Sequence, residues 1–298
     1  MAVSERKKGE WFLFSGTFLV ALLPVIAVFS FANLSPLISL GWSTELAALF
    51  LGLVVLYRKK WHEIANPILW KYIFFIALFI SVLTYGLFFL GLEKTTPGNA
   101  AVISLFEVFT SFVLFNVLRG ERMSFEYKIG AFLMVAGALI VLVRDFSGIN
   151  TGDLFILAAT LCAPIGNLFQ QKAREVASGE TIMFLRSALS VPFIFLLAFV
   201  FNERTSFGDV GIALPFLLIN GIVVLGFSRI LWIEAIHRIP VTKAQALASI
   251  APLFTLLFAW LLLHQVPNVW QLSAVVPLIL GTLLLTDHIK FRPRAPRR

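Results

Sequence analysis

The chain has 298 residues, of which 59% are hydrophobic and 13% are charged, and its mean hydropathy is +0.92. A soluble domain carries about 25% charged residues, so this composition excludes a water-facing globule and favours a membrane protein. The single cysteine, Cys162, excludes an internal disulfide and a cysteine-based zinc site. The four histidines have no metal-ligand spacing, and no nucleotide-binding or nucleophile motif occurs, so we expect no metal, no cofactor and no coupling to ATP.

Ten apolar runs follow one another along the chain, each close to the roughly 20 residues that cross a bilayer core of about 30 Å. They are predicted at 11–31, 36–57, 68–91, 97–118, 126–143, 153–171, 182–202, 211–235, 241–263 and 268–287. The basic start before the first run resembles a signal sequence, but the run is long and no small-residue cleavage site follows. We therefore expect a retained first span. Short connections with Pro, Gly, Asn or charge separate the runs.

The basic residues divide unequally between the two sets of connections. With the N-terminus placed in the cytoplasm, 19 of the 24 Lys and Arg residues fall on the inner side, and three fall outside: Lys94, Arg144 and Arg204. The positive-inside rule therefore predicts both termini in the cytoplasm. It also explains the net charge of +8 as a basic rim facing anionic lipid, and the basic C-terminal tail as a topology anchor, without nucleic acid.

Three of the first five predicted spans carry polar residues that are candidates for a role. Glu45 lies near the outer end of the second span and is interpreted as a topology or structural charge, and Tyr85 lies in the third. In the fourth span Ser104, Glu107 and Ser111 share one helical face. A carboxyl group away from water holds its proton more readily, which suits a proton-linked step. The alternative is a neutral Glu107 that is hydrogen-bonded to a neighbouring helix.

Two arginines lie within later spans, where a charge is costly. Arg186 is four residues into its predicted span and is interpreted as a structural charge that reaches the inner rim. Arg229 is predicted to face a cavity and to hold a carboxylate or phosphate; the alternative is an ion pair across the bundle, for example with Glu107. Glu234 is offset by about 140° from Arg229 around the helix, so the two are not expected to pair, and Glu234 is interpreted as structural.

Amide and hydroxyl groups complete the candidate site. Asn167 ends the sixth span and is expected to face the cavity. Gln245 and Ser249 in the ninth span are four residues apart, share a face, and are the counterpart of the polar stripe around Glu107.

The two halves of the sequence align without gaps when 83–142 is placed over 227–286. Turns then fall on turns, Gly137 on Gly281 and Tyr85 on Arg229. Each half holds five spans, and an odd number makes the second half enter from the opposite side. The sequence therefore predicts an all-α polytopic membrane protein of two inverted five-helix repeats, 1–147 and 148–298, around a central cavity.

Both halves resemble the EamA-type transporters of the drug/metabolite transporter superfamily. In the first half the resemblance rests on Glu107, Gly120-Glu121 and Ala136-Gly137, and in the second on Pro252 and Gly281. Val108 and His264-Gln265 depart from the family's pattern. The resemblance implies ten helices, both ends in the cytoplasm and a cavity between two five-helix repeats.

These observations together predict a secondary transporter, not an enzyme, in the cell (inner) membrane. Its expected substrate is a small metabolite such as an amino acid, an amine or a carboxylate, exported by alternating access with proton coupling or exchange. Its expected partners are that substrate and the lipid bilayer, and the protein is expected to be a monomer or a homodimer. The alternatives are an uncoupled facilitator or scaffold, and a polytopic lipid-modifying enzyme.

Overall fold

The computed structural model describes residues 5–114, 125–142, 150–239, 244 and 247–285, and these residues form helices and turns without a strand. The helices are α1 Glu5–Phe31, α2 Pro36–Tyr57, α3 Pro67–Leu92, α4 Pro97–Ser104, α5 Phe106–Phe112, α6 Phe125–Leu142, α7 Thr151–Ala173, α8 Gly179–Val200, α9 Phe207–Ile236, α10 Ala251–Leu263 and α11 Val269–Leu285. A turn at residues 21–22 interrupts α1, and a short 3-10 helix, Trp61–Ala65, joins α2 to α3.

Seven of these helices are long and apolar enough to cross a membrane: α1, α2, α3, α6, α7, α8 and α9. The predicted span 97–118 begins as the two short helices α4 and α5, and residues 115–124 lie outside the described part of the chain. The predicted spans 241–263 and 268–287 are represented by α10, with 13 residues, and α11, with 17 residues. A multi-pass membrane fold is therefore evident, and the number ten stays a prediction.

Local sequence explains where several helices begin. Pro36, Pro67 and Pro97 each take the first helical position, where the missing N–H costs no hydrogen bond. The side chains of Asn66 and Thr96 cap α3 and α4 by accepting from backbone N–H groups of the first turn. These caps end the polar connections and start the apolar runs.

Helices of the first half of the chain pack antiparallel against helices of the second half. Along α2 and α8, Gly41 lies against Phe195 and Gly52 against Phe184. In α6 and α11, a Cβ on Gly130 would lie 3.1 Å from the carbonyl oxygen of Gly281. Two further antiparallel contacts cross between the halves, α1 with α9 and α3 with α7. The two halves are thus interleaved rather than separate.

Irregular helical turns also recur in the two halves. α3 contains a π-helical segment, Ala77–Thr84, and α9 contains another, Ile219–Phe227. The shift of 144 residues that aligns 83–142 with 227–286 places the first segment on 221–228. The same shift carries the break at Leu105, between α4 and α5, to Ser249, where the chain also turns before α10.

The apolar residues divide between an interior shared by both halves and an exposed outer surface. Large side chains from each half meet in the main core: Phe89, Met134, Ile156 and Leu278 are fully buried. Others point outward, among them Phe132, Phe199, Ile212 and Leu261. An apolar patch of this extent on a soluble monomer is rare, and lipid accounts for it here.

Candidate functional site

Glu107 and Asn167 are joined by a hydrogen bond inside the bundle. The Asn167 Nδ2 group donates to Glu107 Oε1 at 3.0 Å. Glu107 lies in the first turn of α5, directly after the helix break at Leu105, and Asn167 lies near the end of α7. Both side chains are partly buried. The acid is therefore held by a neighbouring helix and keeps some accessible surface.

Tyr85 and two arginines form the second part of the site. Arg229 Nη2 donates to the Tyr85 hydroxyl, and the Arg186 guanidinium lies beside the same hydroxyl. Arg229 is close enough to Glu107 for electrostatic attraction. One connected group of polar side chains thus extends through the bundle, and we call these five residues the central cluster: Tyr85, Glu107, Asn167, Arg186 and Arg229.

The two halves contribute unequally to the central cluster. Tyr85 and Glu107 come from the first half, and Asn167, Arg186 and Arg229 from the second. The sequence alignment of Tyr85 with Arg229 becomes a direct contact in the structure.

Helix irregularities place the side chains of the central cluster. Tyr85 is the first residue after the π-helical segment of α3, and Arg229 is the second residue after that of α9. A π-helical turn changes which face the following residue presents, and such turns are frequent at functional sites. Around Leu105 the backbone hydrogen bonds span three residues instead of the four of an α-helix. Leu105 N donates to Val102 O at 3.2 Å, and Val108 N donates to Leu105 O at 3.1 Å. Discontinuous helices of this kind line the binding sites of many transporters.

Arg186 has a different place from the one interpreted from sequence. Its side chain is only 6% exposed and lies with Tyr85 and Arg229 inside the bundle. Glu45 is partly buried and makes no hydrogen bond or ion pair to any residue that the structure describes.

Three of the predicted hydroxyl and amide residues, Ser104, Ser111 and Ser249, lie within the described part of the chain. Ser104 donates to the carbonyl of Ala100 at 2.7 Å, and Ser111 is partly buried on α5. Ser249 is buried at the turn before α10. Gln245 lies outside the described residues.

Ion pairs at the predicted cytoplasmic end were not anticipated from sequence. Arg58, at the end of α2, contacts Glu180 at the start of α8, and its Nη1 lies 3.4 Å from Glu234 Oε1. Glu234 is also 2.6 Å from Arg238 Nη1, and Arg238 in turn contacts Glu5. Glu234 therefore has arginine partners, and Arg229 is not one of them within the described part of the chain. The sequence feature that could have predicted these ion pairs is the position of Glu5, Glu180 and Glu234 close to the basic connections on the predicted inner side.

The same end carries a carboxylate that fastens the short Trp61–Ala65 helix to α8. Glu63 Oε2 accepts from the backbone N–H of Ser178 at 2.8 Å and from its hydroxyl at 2.6 Å. Burial raises the pKa of Glu63, but the hydrogen bonds from Ser178 and Thr181 outweigh it and leave the pKa below its usual value.

The opposite end is held by neutral groups around one acid. Thr95 and Asn99 donate to the Asp153 carboxylate, and Gln271 Nε2 donates to Asn99 Oδ1 at 2.7 Å. These bonds connect α4, α7 and α11. The ion pairs of Arg58, Lys60 and Arg238, and those of the N-terminal turns, lie at the other end of the molecule.

Comparison with known proteins gives relatives of the same general kind. An uncharacterized transporter from Bacillus subtilis strain 168, YoaV, is 24% identical over 264 residues, which is 85% of each chain. A second one from the same organism, YyaM, is 23% identical and covers 89% of each chain. The pseudopaline exporter CntI of Pseudomonas aeruginosa is 28% identical over 151 residues, about half of each chain at 48% and 49%.

A solved crystal structure and a family model extend the comparison to the whole chain. The crystal structure has a TM-score of 0.65 with 18% identity and covers 93% of this chain and 96% of its own, which indicates a shared fold. The model of the EamA-like transporter family matches twice, at residues 7–143 and 150–287. The relatives are named as transporters and not as enzymes. The chain therefore belongs to the EamA-like transporter family.

Proposed function

We propose that this membrane transporter exports a small metabolite, such as an amino acid, an amine or a carboxylate, by alternating access driven by protons or by exchange. The observation that carries the proposal is the central cluster: ionisable side chains inside an apolar bundle, placed on interrupted helices. Such groups are costly in a membrane and are typical of substrate and proton pathways.

The recurrence of structure between the halves supports an inverted repeat of two five-helix units, 1–147 and 148–298. Equivalent helices, α2 with α8 and α6 with α11, are antiparallel neighbours. Residues near an approximate two-fold axis contact their own equivalents, as Tyr85 and Arg229 do. The double match of the family model is consistent with this division.

The two ends of the molecule support a membrane orientation and a working cycle. Ion pairs gather at the end where the basic residues are concentrated, and this is the end we assign to the cytoplasm. At the other end, uncharged side chains donate hydrogen bonds to Asp153 and to one another. In alternating access, each set of contacts breaks while the other holds, so that the central cluster meets one side of the inner membrane at a time. The similarity to a named exporter supports the outward direction.

Replacement of Glu107 tests proton coupling. Glu107→Gln keeps the size of the side chain and its capacity to hydrogen-bond Asn167, but it removes the ionisable group. We therefore expect the rate of transport driven by a pH gradient to fall about tenfold or more. The measurement is uptake or efflux of labelled amino acids, amines and carboxylates in proteoliposomes with an imposed pH gradient.

The matched control is Glu175→Gln, an exposed acid on the connection between α7 and α8, which should leave transport unchanged. Undiminished gradient-driven transport by Glu107→Gln would remove the proton role. Flux that is equal with and without a gradient would favour an uncoupled facilitator instead.

A further inference from the structure

Two arginines lie beside the Tyr85 hydroxyl inside the bundle, although like charges repel. Arg186 is 6% exposed and Arg229 is partly buried, and the charge of Arg229 acts unfavourably on the Arg186 guanidinium where little water is present to screen it. A buried pair of guanidinium groups therefore requires an anion nearby.

No carboxylate within the described residues forms an ion pair with Arg186 or Arg229, and this includes the partly buried Glu45 of α2. Glu107 attracts Arg229, but it is one carboxylate facing two guanidinium groups. Glu180 and Glu234 are engaged by arginines at the cytoplasmic end, and Asp153 is engaged at the other end. The formal charge of the central cluster is thus +1 when Glu107 is ionised and +2 when it is protonated.

Donor groups of both arginines also remain available. The Nε atoms of Arg186 and Arg229 are buried and have no hydrogen-bond partner among the described residues. A buried donor without an acceptor costs free energy, and a planar guanidinium presents Nε and Nη as a fork that matches the two oxygens of a carboxylate.

We propose that Arg186, Arg229 and Tyr85 form an anion subsite of the transporter and that its substrate carries a carboxylate and a net negative charge. The inference rests on the proposed transport function and narrows its substrate class. A ligand of charge −1 brings the central cluster to neutrality when Glu107 is ionised and to +1 when it is protonated, whereas a zwitterion leaves the charge unchanged and an amine raises it. The substrate is therefore an organic acid or an acidic amino acid, and amines are excluded.

Equilibrium binding to the full chain in detergent tests the subsite without any gradient. The probes are three acids and their amides, namely L-glutamate with L-glutamine, succinate with succinamide, and benzoate with benzamide, together with putrescine and inorganic phosphate. Binding is measured as the increase in melting temperature when ligand is added, which grows with the ratio of ligand concentration to Kd. We expect at least one acid to bind about tenfold or more tightly than its amide, because the amide leaves the guanidinium charge unmatched.

Variants then locate the binding. Arg186→Gln and Arg229→Gln should each weaken the acid by about tenfold or more, and Arg229→Lys, which keeps the charge but loses the fork, should lie between them and the unaltered protein. The matched control is Arg204→Gln, an exposed arginine in the connection between α8 and α9, which should bind as the unaltered protein does. If a glutamine variant fails to fold, the weaker binding of the acid by Arg229→Lys still tests the role of the guanidinium group.

The outcomes separate this inference from the transport proposal. Acid binding that depends on Arg186 and Arg229, without gradient-driven flux and without exchange of internal for external acid in proteoliposomes, retains the subsite and contradicts transport. The subsite is overturned if no acid binds more tightly than its amide, if phosphate or putrescine binds in preference, or if acid binding survives both glutamine substitutions.

Discussion

At the level of single residues, Arg58 shows how a charge at the membrane rim is used. Its guanidinium connects Glu180 on α8 with Glu234 on α9, while 38% of its side chain stays exposed. Glu180 is more deeply placed, with 8% of its side chain exposed. The pair is therefore asymmetric: loss of the arginine strands a buried carboxylate, whereas loss of the acid leaves a partly solvated arginine.

This asymmetry predicts the effect of substitution on stability. Arg58→Gln should lower the free energy of unfolding by about 1–3 kcal/mol, because a buried acceptor loses its charged partner. The exposure of Arg58 keeps the loss below that of a fully buried pair. The measurement is thermal unfolding of the purified protein in detergent.

A double-mutant cycle supplies the control. In the Glu180→Gln background, Arg58→Gln should cost much less than in the unaltered protein. Equal costs in both backgrounds would show that the contact contributes nothing and that α2 and α8 are held by packing alone.

At the level of helices, close approach of two backbones determines the contact between α3 and α7. A Cβ on Gly91 would lie 2.7 Å from the carbonyl oxygen of Gly152 and 2.8 Å from Ile156 Cδ1. Small residues let membrane helices approach in this way, because packing rather than hydrophobic exclusion drives their association. α7 carries Asn167, so this contact also determines where Asn167 meets Glu107.

Alanine substitution at Gly91 should therefore destabilise the bundle. We expect Gly91→Ala to cost about 1–3 kcal/mol through overpacking against a backbone atom that cannot move aside. It should also reduce transport, because displacement of α7 lengthens the Asn167–Glu107 hydrogen bond. Thermal unfolding and proteoliposome flux measure the two effects.

Gly211 in α9 is the matched control. No atom lies within 4 Å of a Cβ added there, so Gly211→Ala should be neutral or should gain about 0.5–1 kcal/mol from helix propensity. A loss at Gly211 equal to that at Gly91 would mean that helix flexibility, and not the close approach to α7, is what matters.

At the level of the whole molecule, the proposed orientation places the ion pairs in the cytoplasm. His62 lies in the connection at that end, and Thr205 lies in the connection between α8 and α9 at the other; both are exposed. In a Cys162→Ser background, we expect Thr205→Cys to react with a membrane-impermeant maleimide in right-side-out spheroplasts, and His62→Cys to react only after permeabilisation.

Labelling distinguishes the alternatives because each connection has one predicted side. The Cys162→Ser protein without added cysteine should remain unlabelled. Reaction of His62→Cys in sealed spheroplasts would reverse the orientation, and reaction of both positions from one side would contradict the arrangement of the helices.

Periodicity and composition determined much of this protein without the structure, because hydrocarbon accepts only helices whose backbone groups are satisfied internally. The apolar runs predicted the helices α2, α3, α6, α7 and α8 to within a few residues of their ends. The costs of placing charges in lipid also marked Glu107 and Arg229 as unusual, and the family followed from the motifs of both halves.

Tertiary structure decided which of these polar residues meet. From sequence, Arg186 is interpreted as a charge at the membrane rim, because a sequence gives the depth of a residue along its helix but not its neighbours. The packing of α8 places Arg186 near Tyr85 and Arg229. The π-helical segments and the break at Leu105 could not be predicted from the sequence either, because they depend on contacts between helices rather than on local helix propensity. Apolar pattern specifies that a helix crosses the membrane, and only packing between helices specifies which face it turns inward.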